Sequence, residues 1–282
     1  MSKLEQWHKT EVLPISSWGK AFMKRFEPNS FEIRNEVNWL LETNSFSFLT
    51  VPKILEYSFE DGFILMEFIE DYSPEIDLRI RIAHMVKMAS RLHSIKRQKE
   101  PMVRLKWDTK LTTLKTPYNR YLSKSLLNKI KIINDFMSGS ISLEIQNRLN
   151  EEISGLVFAD FTIVHRDMHL RHFLFNKTGD SAALIDWEFS NLSERSHDVA
   201  KIIYEAILQN LGDVETIVDD VINMYLQSSD LDKGYLYNTV KLFICIVVIE
   251  DISATARWMR SFDAVDFSKK LSLLEKLFRA FY

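Results

Sequence analysis

Residues 163–176, "IVHRDMHLRHFLFN", set three histidines, two arginines and one aspartate between two apolar runs. Short apolar runs that stop at a knot of titratable groups read as two strands delivering a loop of chemistry-bearing side chains. Three readings of that loop are open. His165, Asp167, His169 and His172 could ligate a transition metal, Arg166 and Arg171 could mark a basic patch, or Asp167 could act as a base in a loop braced by its neighbours.

The whole chain weighs against the basic patch. It has 282 residues, 46% hydrophobic and 27% charged, and Lys+Arg 36 against Asp+Glu 39 gives a net charge of −3. That balance belongs to a globular protein with a large packed core, without the positive field of a nucleic-acid binder. Cys245 is the single cysteine, inside the apolar "LFICIVVI", so no intrachain disulfide can form and a reducing, cytoplasmic setting is expected. The opening "MSKLEQWHKTEV" has no apolar h-region, and "LFICIVVI" is far shorter than the roughly 20 residues that cross a bilayer. Neither a signal peptide nor an integral membrane segment is expected.

Periodicity divides the chain near residue 70. "TEVLPI" and "KAFMKRF" flank the turn "SSWG", the segment "NSFEIRNEVNWLLETN" has helical spacing behind Asn29 or Ser30 as N-cap, and "KILEYSFEDGFILMEFIE" reads as a hairpin around "EDG". After Pro74 the pattern becomes mainly helical, in "IDLRIRIAHMVKMASRLHSI" and in most of the chain beyond Asp198. Short strands return only between 155 and 190, as "TIVH", "FLFN" and "AALIDW". Residues 97–124, rich in Lys and Arg with interleaved Trp and Tyr, are read as a solvated insertion. The expected class is α+β, with a small β-rich lobe over 1–70 and a larger helical lobe over 71–282, resembling the bilobal architecture of kinases.

With that arrangement, "HRDMHLRH" fits the kinase catalytic-loop pattern H-R-D-x-x-x-x-N up to its last position, where His172 replaces Asn. Asp186, in "LIDWE", follows Asp167 by 19 positions at the end of an apolar run. Phosphoryl transfer needs one carboxylate for the acceptor hydroxyl and another for the metal on the phosphates. Asp167 and Asp186 suit these separate tasks.

These segments resemble the aminoglycoside phosphotransferase and choline kinase family, the small-molecule branch of the protein-kinase-like fold. That family writes its loop His-Gly-Asp-x-His-x-x-Asn, and His165, Asp167 and His169 stand in that spacing. "IDWE" at 185–188 and "SHDVAKI", with Asp198, are similar to two further family segments. The loop also resembles that of lipopolysaccharide core sugar kinases, where His can occupy the Asn position.

The resemblance implies an ATP-dependent enzyme acting on a hydroxyl of a small molecule: an aminoglycoside, an amino alcohol or a sugar. Asp167 would be the catalytic base. Asp186 and His172 would hold the metal, Mg2+ or, because imidazole favours it, Mn2+. Lys24 and Glu36 would form the ion pair that grips the α- and β-phosphates, and the backbone of Glu67 and Ile69 would meet the adenine edge. No G-x-G-x-x-G loop precedes Lys24; Gly19, Ser16 and Ser17 would have to serve instead. His165 is expected to brace the loop. Two competitors remain, a metal-dependent hydrolase built on His165, Asp167, His169 and His172, and a catalytically inactive pseudokinase. The acceptor itself stays open: Asp219, Asp220, Glu250 and Asp251 suit a cation, while Arg and Lys at 104–110 suit an anion.

Overall fold

The computed structural model describes residues 9–15, 19–95, 97–103, 111–137, 141–158, 161–258 and 264–282. Its first part is a four-stranded antiparallel sheet. Strands β1 (Lys9–Ile15), β2 (Gly19–Arg25), β3 (Ile54–Ser58) and β4 (Phe63–Glu67) lie in the order β1-β2-β4-β3. The "EDG" turn closes as expected. Gly62 sits at φ 66°, and a Cβ there would lie 2.5 Å from the Phe26 carbonyl oxygen, so only glycine lets the turn approach the end of β2.

Helix α1 (Phe31–Thr43) begins after Ser30 and buries Phe31, Ile33, Val37 and Leu40 beneath this sheet. It also buries Glu36, which carries that position's chemistry toward the rest of the molecule. Helix α2 (Leu78–Ile95) follows, with Ile82, Met85, Ala89 and Leu92 inward and Arg79, Lys87 and Arg91 in water, as its period requires.

A second antiparallel sheet differs from expectation. It joins β5 (Arg97–Gln98), β6 (Met102–Val103), β7 (Thr112–Thr113), β8 (Phe161–Val164) and β11 (Asn191–Ser193) in the order β5-β8-β11-β6-β7. Residues 97–124 are therefore not a solvated insertion: Val103, Leu114, Tyr118 and Leu122 are all buried. Their Lys and Arg density obscured isolated apolar positions that each find the core, and strands of two residues carry no alternation to read. The Arg and Lys at 104–110, expected to suit an anion, lie outside the described residues. Strands β9 (Phe173–Phe175) and β10 (Ala182–Leu184) form the small hairpin expected around "KTGDS".

The remaining helices are α3 (Tyr118–Met137), α4 (Leu143–Gly155), α5 (Ser196–Leu208), α6 (Val214–Leu226), α7 (Lys233–Trp258) and α8 (Ala264–Phe281). Helix α7 is apolar around most of its circumference because α3, α5 and α8 pack on it, and this is where Cys245 is buried. Among the described residues no helix is long and apolar enough to cross a membrane.

Candidate active site

Strand β8 ends at Val164 and hands the chain to the loop. Asp198, in the first turn of α5 and wholly buried, accepts the backbone amides of His165 at 2.7 Å and Arg166 at 2.8 Å. Arg166 is held at φ 72°, the left-handed region, so this pair of hydrogen bonds fixes an otherwise costly turn. His165 donates from Nε2 to the Ile185 carbonyl at 3.0 Å, and its Nδ1 accepts the Asp167 amide at 3.3 Å. Burial, first of all, pushes its pKa down and keeps it neutral. It braces both the loop and the segment leading to Asp186.

Asp167 emerges from that brace beside two imidazoles and an ammonium. His169 Nε2 lies 3.1 Å from its carboxylate, His172 Nδ1 3.6 Å and Lys201 Nζ 3.6 Å. Burial opposes the charge on Asp167, yet these three neighbours hold its pKa well below the usual carboxylate range. His169 also meets Glu205 at 2.6 Å; burial lowers its pKa, but the two carboxylates win and raise it. Lys201 and Glu205 escaped the sequence reading. The signal was present: with Asp198 they recur at i, i+3 and i+7 on one face of α5.

Lys24, on β2, ties the sheet to the helical part. Its ammonium touches Glu36 at 2.6 Å, Asp186 at 2.5 Å and Glu188 at 2.8 Å. The expected Lys24–Glu36 pair thus exists, with two further carboxylates around it. Burial works against the Lys24 charge, and the carboxylates overcome it and raise its pKa. Burial pushes Glu36 up to about 7 against the pull of Lys24. Three carboxylates around one ammonium carry excess negative charge that a divalent cation would neutralise.

His172 completes the arrangement. Its Nδ1 donates to the Asp167 carbonyl at 2.8 Å, which leaves Nε2 facing an Asp186 oxygen at 3.1 Å. On a neutral ring that nitrogen offers a lone pair toward a second acceptor, a pairing that a metal ion between them would relieve. Ligand atoms of Asp167, His172 and Asp186, and separately of Glu36, Asp186 and Glu188, all lie within 4.8 Å of one another. These oxygen-rich sets with one imidazole fit Mg2+ or Mn2+. Of the three loop histidines only His172 joins such a cluster among the described residues. His165 and His169 bond protein partners through both ring nitrogens and stand outside both clusters, so the four-residue set expected of a hydrolase is not assembled among the described residues.

Two clefts flank these groups. One, of about 350 Å³, has apolar walls from Val12, Phe22, Met66 and Leu174 and includes Lys24, Asp186, Glu67 and Ile69. The Glu67 amide already donates to the Lys53 carbonyl at 2.9 Å, so Glu67 has only its carbonyl for a bound base. Ser16 and Ser17 lie outside the described residues. The other cleft, of about 470 Å³, is polar and holds Asp167, His169, Arg171, Lys201, Glu250 and Asp251. Arg166 bonds Glu250 at 3.1 Å and is no free basic patch. Asp219 and Asp220 line neither cleft.

The sequence model of the phosphotransferase enzyme family matches residues 13–235. No curated protein matches the chain. Among solved structures, the fold is similar to ethanolamine kinase of Plasmodium vivax, with TM-score 0.63 and 17% identity over 98% of this chain and 84% of that one. It is similar too to choline kinase of Cryptosporidium parvum, with TM-score 0.62 and 14% identity over 98% and 90%. Aminoglycoside phosphotransferase of Alicyclobacillus acidocaldarius gives TM-score 0.62 and 13% identity over 99% and 91%.

Proposed function

This chain belongs to the phosphotransferase enzyme family, and on that premise we propose that it transfers the γ-phosphoryl group of ATP to a hydroxyl of a small molecule. The observation that carries the reading is that Lys24, Glu36 and Asp186 of the apolar cleft are linked through His172 to Asp167 of the polar one. An apolar cleft with few polar groups suits a nucleotide base, and a polar cleft beyond Asp167 suits a hydroxylated acceptor.

Lys24 holds the α- and β-phosphates once they draw it from its carboxylates, and Glu36 keeps it pointed at them. The Glu67 carbonyl and the Ile69 backbone meet the adenine edge. Asp167, held ionised by His169 and Lys201, accepts a hydrogen bond from the acceptor hydroxyl and aims its oxygen at the γ-phosphorus. As the new O–P bond forms and the bond to the β-phosphate oxygen breaks, the hydroxyl proton passes toward Asp167 and ADP leaves. Its weak basicity fits a late proton transfer, in which orientation matters more than abstraction. A divalent ion held by Asp186 and His172 would neutralise charge on the phosphates. Under this reading residues 1–70 serve the nucleotide, 71–282 carry the catalytic loop and acceptor, and the reaction takes place in the cytoplasm, where ATP is.

Melting curves with ATP plus Mg2+ or Mn2+, followed by ADP release across aminoglycosides, amino alcohols and sugars, test the proposal. Metal–ATP at 100-fold its Kd should stabilise the fold by about 2.7 kcal/mol, and at least one acceptor should accelerate ADP release. The absence of both a melting shift and turnover would overturn it.

A further inference from the structure

We infer that the acceptor is an anion, a hydroxyl compound bearing a carboxylate or phosphate whose charge sits between Arg171 and Lys201 while its hydroxyl faces Asp167. This rests on the phosphotransferase reading. The acidic side chains of the polar cleft are Asp167, Glu250 and Asp251, and each is already engaged by the protein. Glu250 takes Lys129 at 3.0 Å, Arg166 at 3.1 Å and His197 at 2.8 Å. Asp251 takes the Tyr204 hydroxyl at 2.7 Å and Lys270 at 3.0 Å. Asp167 serves His169, with His172 and Lys201 close by. A cationic acceptor would have to displace one of these half-buried cations and leave it without its partner.

The unmatched charge in the cleft is positive. Arg171 lines it and has no ion-pair partner among the described residues. Lys201, with its side chain only 12% exposed, has a single carboxylate within ion-pair reach among the described residues, Asp167 at 3.6 Å, too long for a direct hydrogen bond and shared with two histidines. A poorly paired, largely buried ammonium beside an open guanidinium is an arrangement that an anion completes, and a guanidinium matches carboxylate and phosphate oxygens two at a time. Phe31, Tyr121 and Phe189 also line the cleft and offer apolar faces to a carbon skeleton such as a sugar ring. An alkylammonium would also find those faces, but with Arg171 and Lys201 repelling it.

Acceptors of one skeleton and different charge test this: glucose, glucosamine, glucuronate and glucose 6-phosphate, assayed by ADP release and by melting shift with ADP and Mg2+. Glucuronate or glucose 6-phosphate, whichever of the two anions the site takes, should give kcat/KM at least tenfold above glucosamine, and its KM should rise with added NaCl. Arg171→Glu, an exposed substitution, should raise that anion's KM and reduce the anion-to-amine ratio by tenfold or more. A preference for glucose or glucosamine, failure of both anions to bind or react, or a ratio untouched by Arg171→Glu would overturn the inference while metal–ATP stabilisation leaves the phosphotransferase reading standing. Loss of metal–ATP binding and turnover together would remove that reading first, and the inference with it.

Discussion

The Asp198 carboxylate accepts the backbone amide of Arg166 at 2.8 Å, and the residue it fixes lies at φ 72°. A side chain there costs about 1 kcal/mol relative to glycine. Arg166→Gly and Arg166→Ala both remove the guanidinium from Glu250, but only the glycine relieves the backbone. Urea unfolding should therefore find the glycine variant more stable than the alanine variant by about 1 kcal/mol; equal stabilities would mean that the loop stores no strain.

Asp198 itself sets an acid limit. Burial opposes its charge, but the neighbouring His197 and His93 rings and the two amides hold its folded pKa below that of an unfolded Asp, near 3.9. A depressed folded value stabilises the protein above the unfolded pKa, and the contribution is lost as the pH falls toward the folded one. Asp198→Asn should cost about 3 kcal/mol at pH 7. In urea titrations from pH 5 to pH 2.5, its stability should fall less steeply than that of the wild type. Parallel curves would assign the acid loss to other carboxylates.

For Asp167→Asn, turnover should drop by about 10²–10⁴, because the amide cannot take the proton and disturbs the His169 bond. The melting shift with metal–ATP should persist. Near-normal turnover would strip Asp167 of its role.

Lys24→Ala removes the ammonium from Glu36, Asp186 and Glu188. Leaving these buried carboxylates unpaired should destabilise the fold by about 3 kcal/mol. Millimolar Mg2+ or Mn2+ should restore part of the melting temperature, more than in the wild type, since the ion takes over the charge that Lys24 neutralised. A variant indifferent to both ions would show that these carboxylates hold no metal.

The imidazole of His172 stands where an amide oxygen would favour magnesium. His172→Asn should shift the ratio of ADP release in Mn2+ to that in Mg2+ toward magnesium by several-fold. An unchanged ratio would leave His172 as a hydrogen-bonding link between Asp167 and Asp186 only.

Residues whose roles depend on local spacing were legible in the chain. The loop around Asp167, the strand end at Asp186, the "EDG" hairpin and the helical period of α1 and α2 each follow from which neighbours stand two, three or four positions away. The Lys24–Glu36 pair followed from the family resemblance. Glu188 stood in plain view in "IDWE", but its bond to Lys24 spans 164 positions, and no periodicity encodes such a distance. Strands of two residues, as in β5, β6 and β7, have no pattern of their own: β5 and β6 exist because β8 and β11 offer edges to pair with, and β7 pairs in turn with β6. Charge shows the same division. The acidic and basic residues of the acceptor cleft could be named from the chain, yet which were free depended on partners brought from α3, α5, α7 and α8. An ion pair is a property of two positions in space. Glu250 and Asp251 are as acidic as the sequence says, and only their packing beside Lys129, Arg166 and Lys270 removes them from the reach of a cationic ligand.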